Sequence, residues 1–425
     1  MTKHSKHPRF ERLFALLTSR QTLFVFAVLQ ALALTLTALH YHARLNGLTD
    51  GHGNVVTGDF PAFYTAGRMI ASKQGKNLYD LNAQKETQER LLGRTSAEWQ
   101  PYPYPPLLAL AMAPLSTLGS LVSYRVFCAL MLISFSLGFL IFANATPALA
   151  EDRIGWSTTF LLILGFTPLF RTIIGGQNTP LTLGLMLASF GYLAAGRQLA
   201  AGACLGLLSY KPQILPLLVI SLLASRLHRA TWSLLAVCAA HYLLGAICIS
   251  PLWPLEMMQM ISAYQPLELQ SSLMTHISAI ALLRQIAGEQ LAWLLALPLW
   301  AVLLTLTIRS SRACTNAAHA LAVALLCALL ASPHLQYYDI SLVIPALVIN
   351  LNGVLARLKI IPTSDKLLLM FAYFSYPAYV LAIPLTLQPL AIILLALGQW
   401  VFYSRGREPH TNMLKTAPVQ NGSES

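Results

Sequence analysis

The stretch LAAGACLGLLSYKPQILPLLVISLLASRLHR, Leu199–Arg229, decides the fold of this chain. Two apolar runs lie in it, separated by the pair Lys211 and Pro212, and basic residues stand at both ends, beginning with Arg197 just before it. Proline and a charge interrupt a helix, while Lys and Arg mark the cytoplasmic ends of membrane helices. The stretch therefore predicts a helical hairpin in a membrane, with Lys211 at an outward tip.

The composition of the whole chain agrees with a membrane protein. Of its 425 residues 56% are hydrophobic and 10% charged, and the mean hydropathy is +0.59, whereas soluble proteins carry roughly 25% charged residues. Many apolar runs approach the ~20 residues that a membrane-crossing helix needs. Strands of a membrane barrel would instead alternate over ~10 residues. We expect an all-α polytopic membrane protein.

The distribution of basic residues predicts the topology. Placing the Lys- and Arg-rich segments inside gives about 12 transmembrane helices with both termini in the cytoplasm. The predicted units are a basic N-terminus (1–21), a transmembrane domain (22–404) and a short disordered cytoplasmic tail (405–425). The net charge of +12 falls mainly on the inner segments, so topology explains it and nucleic acid does not.

Two long loops, residues 43–106 and 251–290, fall on the predicted outer side. In the first, PAFYTAGRMIASKQG and LNAQKETQERLLG have the apolar spacing of amphipathic helices that lie on a surface. PYPYPPLLALAMAPLSTL then begins an apolar stretch that is too short to span. Because long ordered loops are usually functional, we expect the site on this side.

Asp59, in the sequence TGDFPAFYTAGR of the first loop, allows two interpretations. An acid ahead of Pro61 and a helical run could cap the helix start. Alternatively, a carboxylate flanked by Phe60 and Phe63 suits a general base for a sugar hydroxyl. Arg68 follows at helical spacing and could hold an anion.

Lys211 is the second candidate. A lysine between apolar half-helices normally faces a cavity and has a partner, or its amine reaches the membrane surface. In a functional role it would hold a lipid-linked phosphate. His334, in SPHLQYYD (Ser332–Asp339), could donate to a phosphate or a sugar hydroxyl, while an aromatic belt would explain the tyrosines beside it.

Other polar positions carry weaker signals. Gln177 and Asn178 of GGQNTP offer donors and acceptors, although a tight turn would also explain the motif. His241 is expected to be a satisfied core histidine or a hydrogen-bonding group between helices. Six cysteines in apolar runs, without a CxxC pair, favour core filling. No metal or nucleotide motif is recognisable, so we predict no metal and no cofactor.

The order of five motifs, GDF, YPPLLALAMAPL, GGQNTPLTLGL, AGACLGLLSYKPQ and SPHLQYYD, resembles the polyprenyl-phosphate-mannose-dependent mannosyltransferases of glycosyltransferase family 87, within the GT-C superfamily. The resemblance runs from Val56 to Pro345. It implies a GT-C-like bundle and a hexosyltransferase that moves mannose, with inversion, from a polyprenyl phosphate to an acceptor hydroxyl at the non-cytoplasmic face. The donor sugar itself is left open, since a pentose or another hexose fits the residues equally.

The resemblance also implies partners and roles. The partners would be a polyprenyl-phosphate-linked sugar, a glycolipid or glycan acceptor and membrane lipids, at a bacterial inner membrane with the site facing the periplasm or exterior. Asp59 matches the essential acid of the first outer loop. The predicted contacts to donor phosphate or sugar are Lys211, His334, Arg68, Gln177, Asn178, Tyr104 and Tyr337.

Two other functions remain possible from the residues. A transporter or flippase of a lipid-linked sugar would share the helix count, but it predicts an internal repeat of half the chain, and no repeat is visible. A non-catalytic scaffold would tolerate Asp59→Asn.

Overall fold

The computed structural model describes residues 16–49, 55–93, 99–146, 153–272, 278–314 and 316–349, with 366, 367, 370 and 373. These residues are helical and form no strand, only two isolated bridges around Thr49, which confirms the all-α prediction. In chain order the helices are α1 (Arg20–Arg44), α2 (Phe60–Ala71), α3 (Leu81–Leu92), α4 (Pro106–Leu115), α5 (Ser120–Asn144), α6 (Arg153–Gly165), α7 (Thr167–Ile174), α8 (Thr179–Ala194), α9 (Gln198–Leu207), α10 (Leu215–Ala224), α11 (His228–Cys248), α12 (Trp253–Ser272), α13 (Ala279–Ala287), α14 (Glu289–Ala313) and α15 (Ala317–Ala331).

Four of the described helices, α1, α5, α11 and α14, are long and apolar enough to cross a membrane. The chain bends by 63° between α6 and α7, and the two together would make a fifth span. Pro168 stands in the first turn of α7. Its ring cannot continue the helix from α6 because it would collide with the carbonyl four residues earlier.

The predicted count of about 12 transmembrane helices stays a prediction, because a crossing needs about 20 residues. The predicted span at Ala317–Ala331 is confirmed as a helix with those bounds, but it and α8 have only 15 and 16 residues. Almost all of the predicted spans 367–383 and 390–403 lie outside the described residues.

Glycines let two pairs of helices pack closely. A Cβ on Gly138 of α5 would come 2.1 Å from the carbonyl oxygen of Gly184 on α8, and a Cβ on Gly202 of α9 would come equally near the Ala230 carbonyl of α11. Small residues at helix crossings allow such backbone contact, which is a common way to pack helices in membranes. Inside this bundle α15 is buried along nearly its whole length.

The first loop folds differently from the prediction. Both expected helices form, as α2 and α3, but α2 does not lie on the surface: nearly every residue of it is buried. The rings of Phe60 and Phe63 pack on Phe127 of α5, and Gly67 touches the backbone of Met112 in α4. Burying these rings against α4 and α5 removes more apolar surface from water than a surface position would.

Helix α3 turns its amides inward. Gln84 and Gln88 are buried, and their side-chain oxygens accept hydrogen bonds from the backbone N–H groups of Tyr102 and Gln100. Thus α3 fixes the segment that leads to Tyr104 and α4. Spacing of apolar residues does not reveal this, because the inward contacts are polar.

A histidine joins three elements behind the first loop. His241 of α11 accepts from the Leu107 N–H of α4 through Nε2 (3.0 Å) and pairs through Nδ1 with the Ser209 hydroxyl (2.7 Å). The predicted role of His241 as a hydrogen-bonding group between helices is confirmed. Helix α4 has ten residues, as expected for a stretch that is too short to span.

The first loop meets the turn after α7 at a contact between glycines. Gly58 has φ +55°, and a Cβ on it would lie 2.0 Å from the carbonyl oxygen of Gly175. Gly176 has φ +60°, and a Cβ there would lie 2.6 Å from the Cβ of Phe60. We call this contact the glycine crossing. It leaves no room for a side chain on either backbone.

We expect Gly58→Ala to lower the thermal unfolding temperature strongly, because the methyl group would displace the Gly175 carbonyl. The control is Gly93→Ala. Gly93 has a similar φ of +67° and nothing within 4 Å, so it should lose only the backbone cost of about 1 kcal/mol. Thermal unfolding in detergent compares the two. Equal losses would contradict the importance of the glycine crossing.

Candidate active site

Asp59 stands at the first turn of α2 without capping it. The residue occupies the N-cap position, yet its side chain makes no hydrogen bond to the helix N–H groups. Its Oδ2 instead accepts from the hydroxyl of Tyr338 at 3.2 Å. The capping interpretation is therefore wrong for the side chain, and the carboxylate is directed at another part of the chain.

The glycine crossing brings Gln177 and Asn178 to Asp59. The side chain of Gln177 adjoins the carboxylate and stabilises its charge, while Asn178 lies next to the Tyr104 hydroxyl. Both amides are buried. Oε1 of Gln177 and both polar atoms of the Asn178 amide have no hydrogen-bond partner among the described residues. Buried polar atoms without partners are costly and indicate a place for a polar ligand.

Lys211 interrupts the chain between α9 and α10, as predicted. Short 3-10 turns, Leu208–Tyr210 and Pro212–Ile214, flank it. Its Nζ lies 2.8 Å from Oδ1 of Asp339, and the Thr179 hydroxyl donates to the same oxygen at 2.8 Å. The lysine is thus held inside the protein by an ion pair.

The 3-10 helix Tyr337–Val343 supplies two neighbouring side chains to the site. Tyr338 donates to Asp59 and Asp339 binds Lys211. The approach to this helix is fixed from α13 and α14: Arg284 donates to the Pro333 carbonyl at 3.4 Å, and the Trp300 indole N–H donates to the carbonyl of Ala331 at 3.0 Å.

Charge and burial act in opposite directions on Asp59. Burial raises the pKa of its carboxyl above the ordinary 3.8, while the Gln177 and Tyr338 hydrogen bonds and the positive charge of Lys211 lower it, and the negative charge of Asp339 raises it again. Burial also raises the pKa of the Tyr338 phenol well above its usual value, so Tyr338 stays a neutral donor. The arrangement suits a carboxylate that takes up a proton.

Of the predicted site residues, Asp59, Gln177, Asn178, Lys211 and Tyr104 come together. Arg68 lies elsewhere. Nine residues along α2 carry it about 13 Å away on the opposite helix face, where it donates to the Ser116 carbonyl at the end of α4.

The remaining two predicted residues belong to the fifth motif. His334 is half-buried five residues before Asp339, and its carbonyl accepts from the Ser332 hydroxyl. Tyr337 packs edge-on against the ring of Tyr338.

Three residues that form part of the site had no predicted role: Tyr338, Asp339 and Thr179. One signal pointed to Asp339, since a lysine between apolar half-helices needs a partner and acids at the ends of apolar runs are few. The sequence could not choose among those acids, because the pair is 128 residues apart.

The raised pKa predicts a stability effect of Asp59→Asn. The folded protein holds a proton on Asp59 more tightly than the unfolded chain does, so stability falls as pH rises from 3.8 through the raised pKa. Asparagine carries no such penalty. We expect the variant to unfold at a higher temperature than wild type at neutral pH, with the gain disappearing toward pH 3.8. A variant that is less stable than wild type at neutral pH would contradict the raised pKa of Asp59.

Comparison with known proteins agrees with the motif order. No curated protein and no solved structure matches the chain. The family model of glycosyltransferase family 87 matches residues 102–333, which is more than half of the chain. This range contains the Gln177–Asn178 turn and Lys211. Asp339 lies six residues past its end and Asp59 lies well before its start, and the contacts above join both to it. The chain belongs to glycosyltransferase family 87 and is a membrane glycosyltransferase.

Proposed function

We propose that the chain transfers a sugar from a polyprenyl phosphate to a hydroxyl of a glycolipid or glycan acceptor, with inversion, and that Asp59 is the general base. Mannose is the donor sugar to test first. The observation that carries the proposal is the state of the Asp59 carboxylate. It is partly exposed, it makes no hydrogen bond to the N–H groups of its own helix, and it accepts one from Tyr338. A carboxylate in that state is available to a substrate.

The reaction requires one base and one stabilised leaving group. Asp59 takes the proton from the acceptor hydroxyl, whose oxygen forms a bond to the anomeric carbon as the bond from that carbon to the phosphate oxygen breaks. The polyprenyl phosphate leaves with the electron pair. Direct displacement needs no second carboxylate as a nucleophile, which a retaining double displacement would need.

The other residues have proposed roles around this centre. The unpartnered amide atoms of Gln177 and Asn178, with the Tyr104 hydroxyl, suit sugar hydroxyls, since each amide offers a donor and an acceptor. His334 is the proposed contact to the donor phosphate, with Tyr337 beside it. No metal or cofactor is part of the proposal.

The proposed location follows from the charge distribution. Lys- and Arg-rich segments are placed on the cytoplasmic side, which puts the loop with Asp59 on the periplasmic or exterior side of a bacterial inner membrane, with both termini inside. Polyprenyl-phosphate sugars would approach Asp59 from the bilayer.

Asp59→Asn should abolish transfer. Purified protein is incubated with polyprenyl-phosphate-mannose and a panel of glycolipid and glycan acceptors, and product is followed by mass spectrometry. We expect a loss of 10²-fold or more, the contribution of a positioned base.

The matched control for that assay is Asp80→Asn. Asp80 lies in the same loop, but its carboxylate caps α3 by accepting from the N–H groups of Asn82 and Ala83. The control should keep most of its transfer activity and its stability, because asparagine caps a helix start about as well as aspartate does. Equal transfer by wild type and Asp59→Asn would remove Asp59 from the mechanism.

Asn178→Leu should make the protein more stable and less active. Both polar atoms of the amide lack a partner without ligand, so an apolar side chain of similar shape avoids a desolvation penalty of about 1–3 kcal/mol. Transfer should fall because a sugar contact is lost. Asn316→Leu is the control: Asn316 caps α15 and its replacement should destabilise. Stability is measured by thermal unfolding and activity by initial rates, for both variants. A destabilised Asn178→Leu variant would contradict the proposal that the amide of Asn178 has a partner only when the sugar is bound.

A further inference from the structure

Lys211 has little capacity left for a substrate. Its side chain is 4% exposed, and that of its partner Asp339 is 7% exposed. Nζ contacts Oδ1 of Asp339 at 2.8 Å and the Thr179 hydroxyl at 3.5 Å. The ammonium group is therefore buried against two of this protein's own acceptors.

The charge of the pair argues against a phosphate contact. Asp339 neutralises Lys211, so Asp59, Asp339 and Lys211 together carry a net charge of −1 when all three are ionised. A phosphate brought to this cluster would meet a negative field at low dielectric, where like charges repel strongly. A cation that binds a leaving phosphate would have to be free of such a counter-ion.

The pair is instead coupled to Asp59. Tyr338 and Asp339 are consecutive in one 3-10 helix, so the residue that donates to Asp59 and the residue that holds Lys211 move together. The charge of Lys211 favours the ionised form of Asp59, and that of Asp339 opposes it. Among the residues that the structure describes, Gln177 also binds Asp59, and Tyr104 lies near its charge.

We infer that Lys211 and Asp339 form a positioning pair that sets the charge and orientation of Asp59, and that Lys211 does not bind the donor phosphate. The inference rests on the proposed role of Asp59 as base. Neither residue touches a reacting atom. Both act through Asp59, directly by charge and indirectly through Tyr338.

Dicyclohexylcarbodiimide, which modifies protonated carboxyl groups in apolar surroundings, tests the coupling without any assay of transfer. Full-length protein in detergent is labelled across a pH series, and modification of the Asp59 peptide is quantified by mass spectrometry. Lys211→Gln should move the midpoint of labelling to higher pH by roughly one unit, and Asp339→Asn should move it to lower pH by a similar amount. Unchanged midpoints in both variants would overturn the inference.

The controls for labelling are Lys76→Gln and Glu86→Gln, which remove exposed charges of the same loop. Neither should move the midpoint of Asp59. A shift as large as that of Lys211→Gln would mean that Asp59 senses general surface charge, and the pair would lose its assigned role.

Single variants leave a buried charge unpaired and could fail to fold, so the double variant Lys211→Gln with Asp339→Asn keeps the inference testable. It retains hydrogen-bonding groups at both positions. Binding of polyprenyl phosphate to wild type and double variant is then compared by titration. Affinities within about threefold support the inference, whereas a loss of tenfold or more would assign Lys211 to the phosphate and overturn it.

Transfer assays separate this inference from the proposed function. A positioning role predicts that Lys211→Gln lowers kcat and shifts the acid limb of the pH profile while KM for the donor stays near the wild-type value. A raised KM for the donor, with no shift in the acid limb of the pH profile, contradicts the positioning role. Absence of transfer by wild-type protein would instead refute the proposed function, while the labelling midpoints would still decide whether the pair sets the charge of Asp59.

Discussion

The glycine crossing is the constraint on which the site depends. Gly58 and Gly175 touch through their backbones, and neither position has space for a Cβ. The two backbone segments pass so closely that the residues after them lie side by side, with Asp59 on one segment and Gln177 on the other. A side chain of any size at Gly58 would push the carboxylate away from the amides, from Tyr338 and from the charge of Lys211. The packing of α2 on α4 and α5 then holds the first loop in place.

The polar groups around the glycine crossing fall into two sets. Lys211, Asp339 and Thr179 satisfy each other inside the protein, whereas Asp59 keeps partial exposure and the amides beside it keep unpaired atoms. The first arrangement is typical of a support, and the second is typical of a site that is incomplete until a ligand enters. Enzymes commonly retain such unfavourable groups where they bind substrate, at a cost in stability.

The sequence allowed much of this to be predicted, and the failures have physical causes. Apolar run lengths located α1, α5 and α15, because a helix in lipid must satisfy its own backbone. The five motifs that suggested the family contribute Asp59, Tyr104, Gln177, Lys211 and Asp339, and all five meet in the structure. Local patterns could not show which acid pairs with Lys211, because that depends on tertiary contacts across 128 residues.

Two further predictions failed, and both concern α2. Helix α2 was expected at the surface, but its aromatic rings fill the space against α5. The sequence places Arg68 as an anion contact near Asp59. A separation of nine residues makes about two and a half turns of α2, so Arg68 lies on the opposite face of the helix, at the end of α4. For the aromatic rings the neighbouring helices decide which face of α2 is covered, whereas the position of Arg68 follows from the helical geometry of α2 itself.

The most direct test of the account is an electron-microscopy map of the full chain in a lipid nanodisc with an unreactive donor, a polyprenyl phosphonate in which a methylene group replaces the oxygen between sugar and phosphorus. We expect density for the sugar between Asp59 and the amides of Gln177 and Asn178, with the phosphonate away from Lys211 and the ion pair to Asp339 intact. Sugar density at a distance from Asp59, or a phosphonate bound to Lys211 with Asp339 displaced, would contradict it.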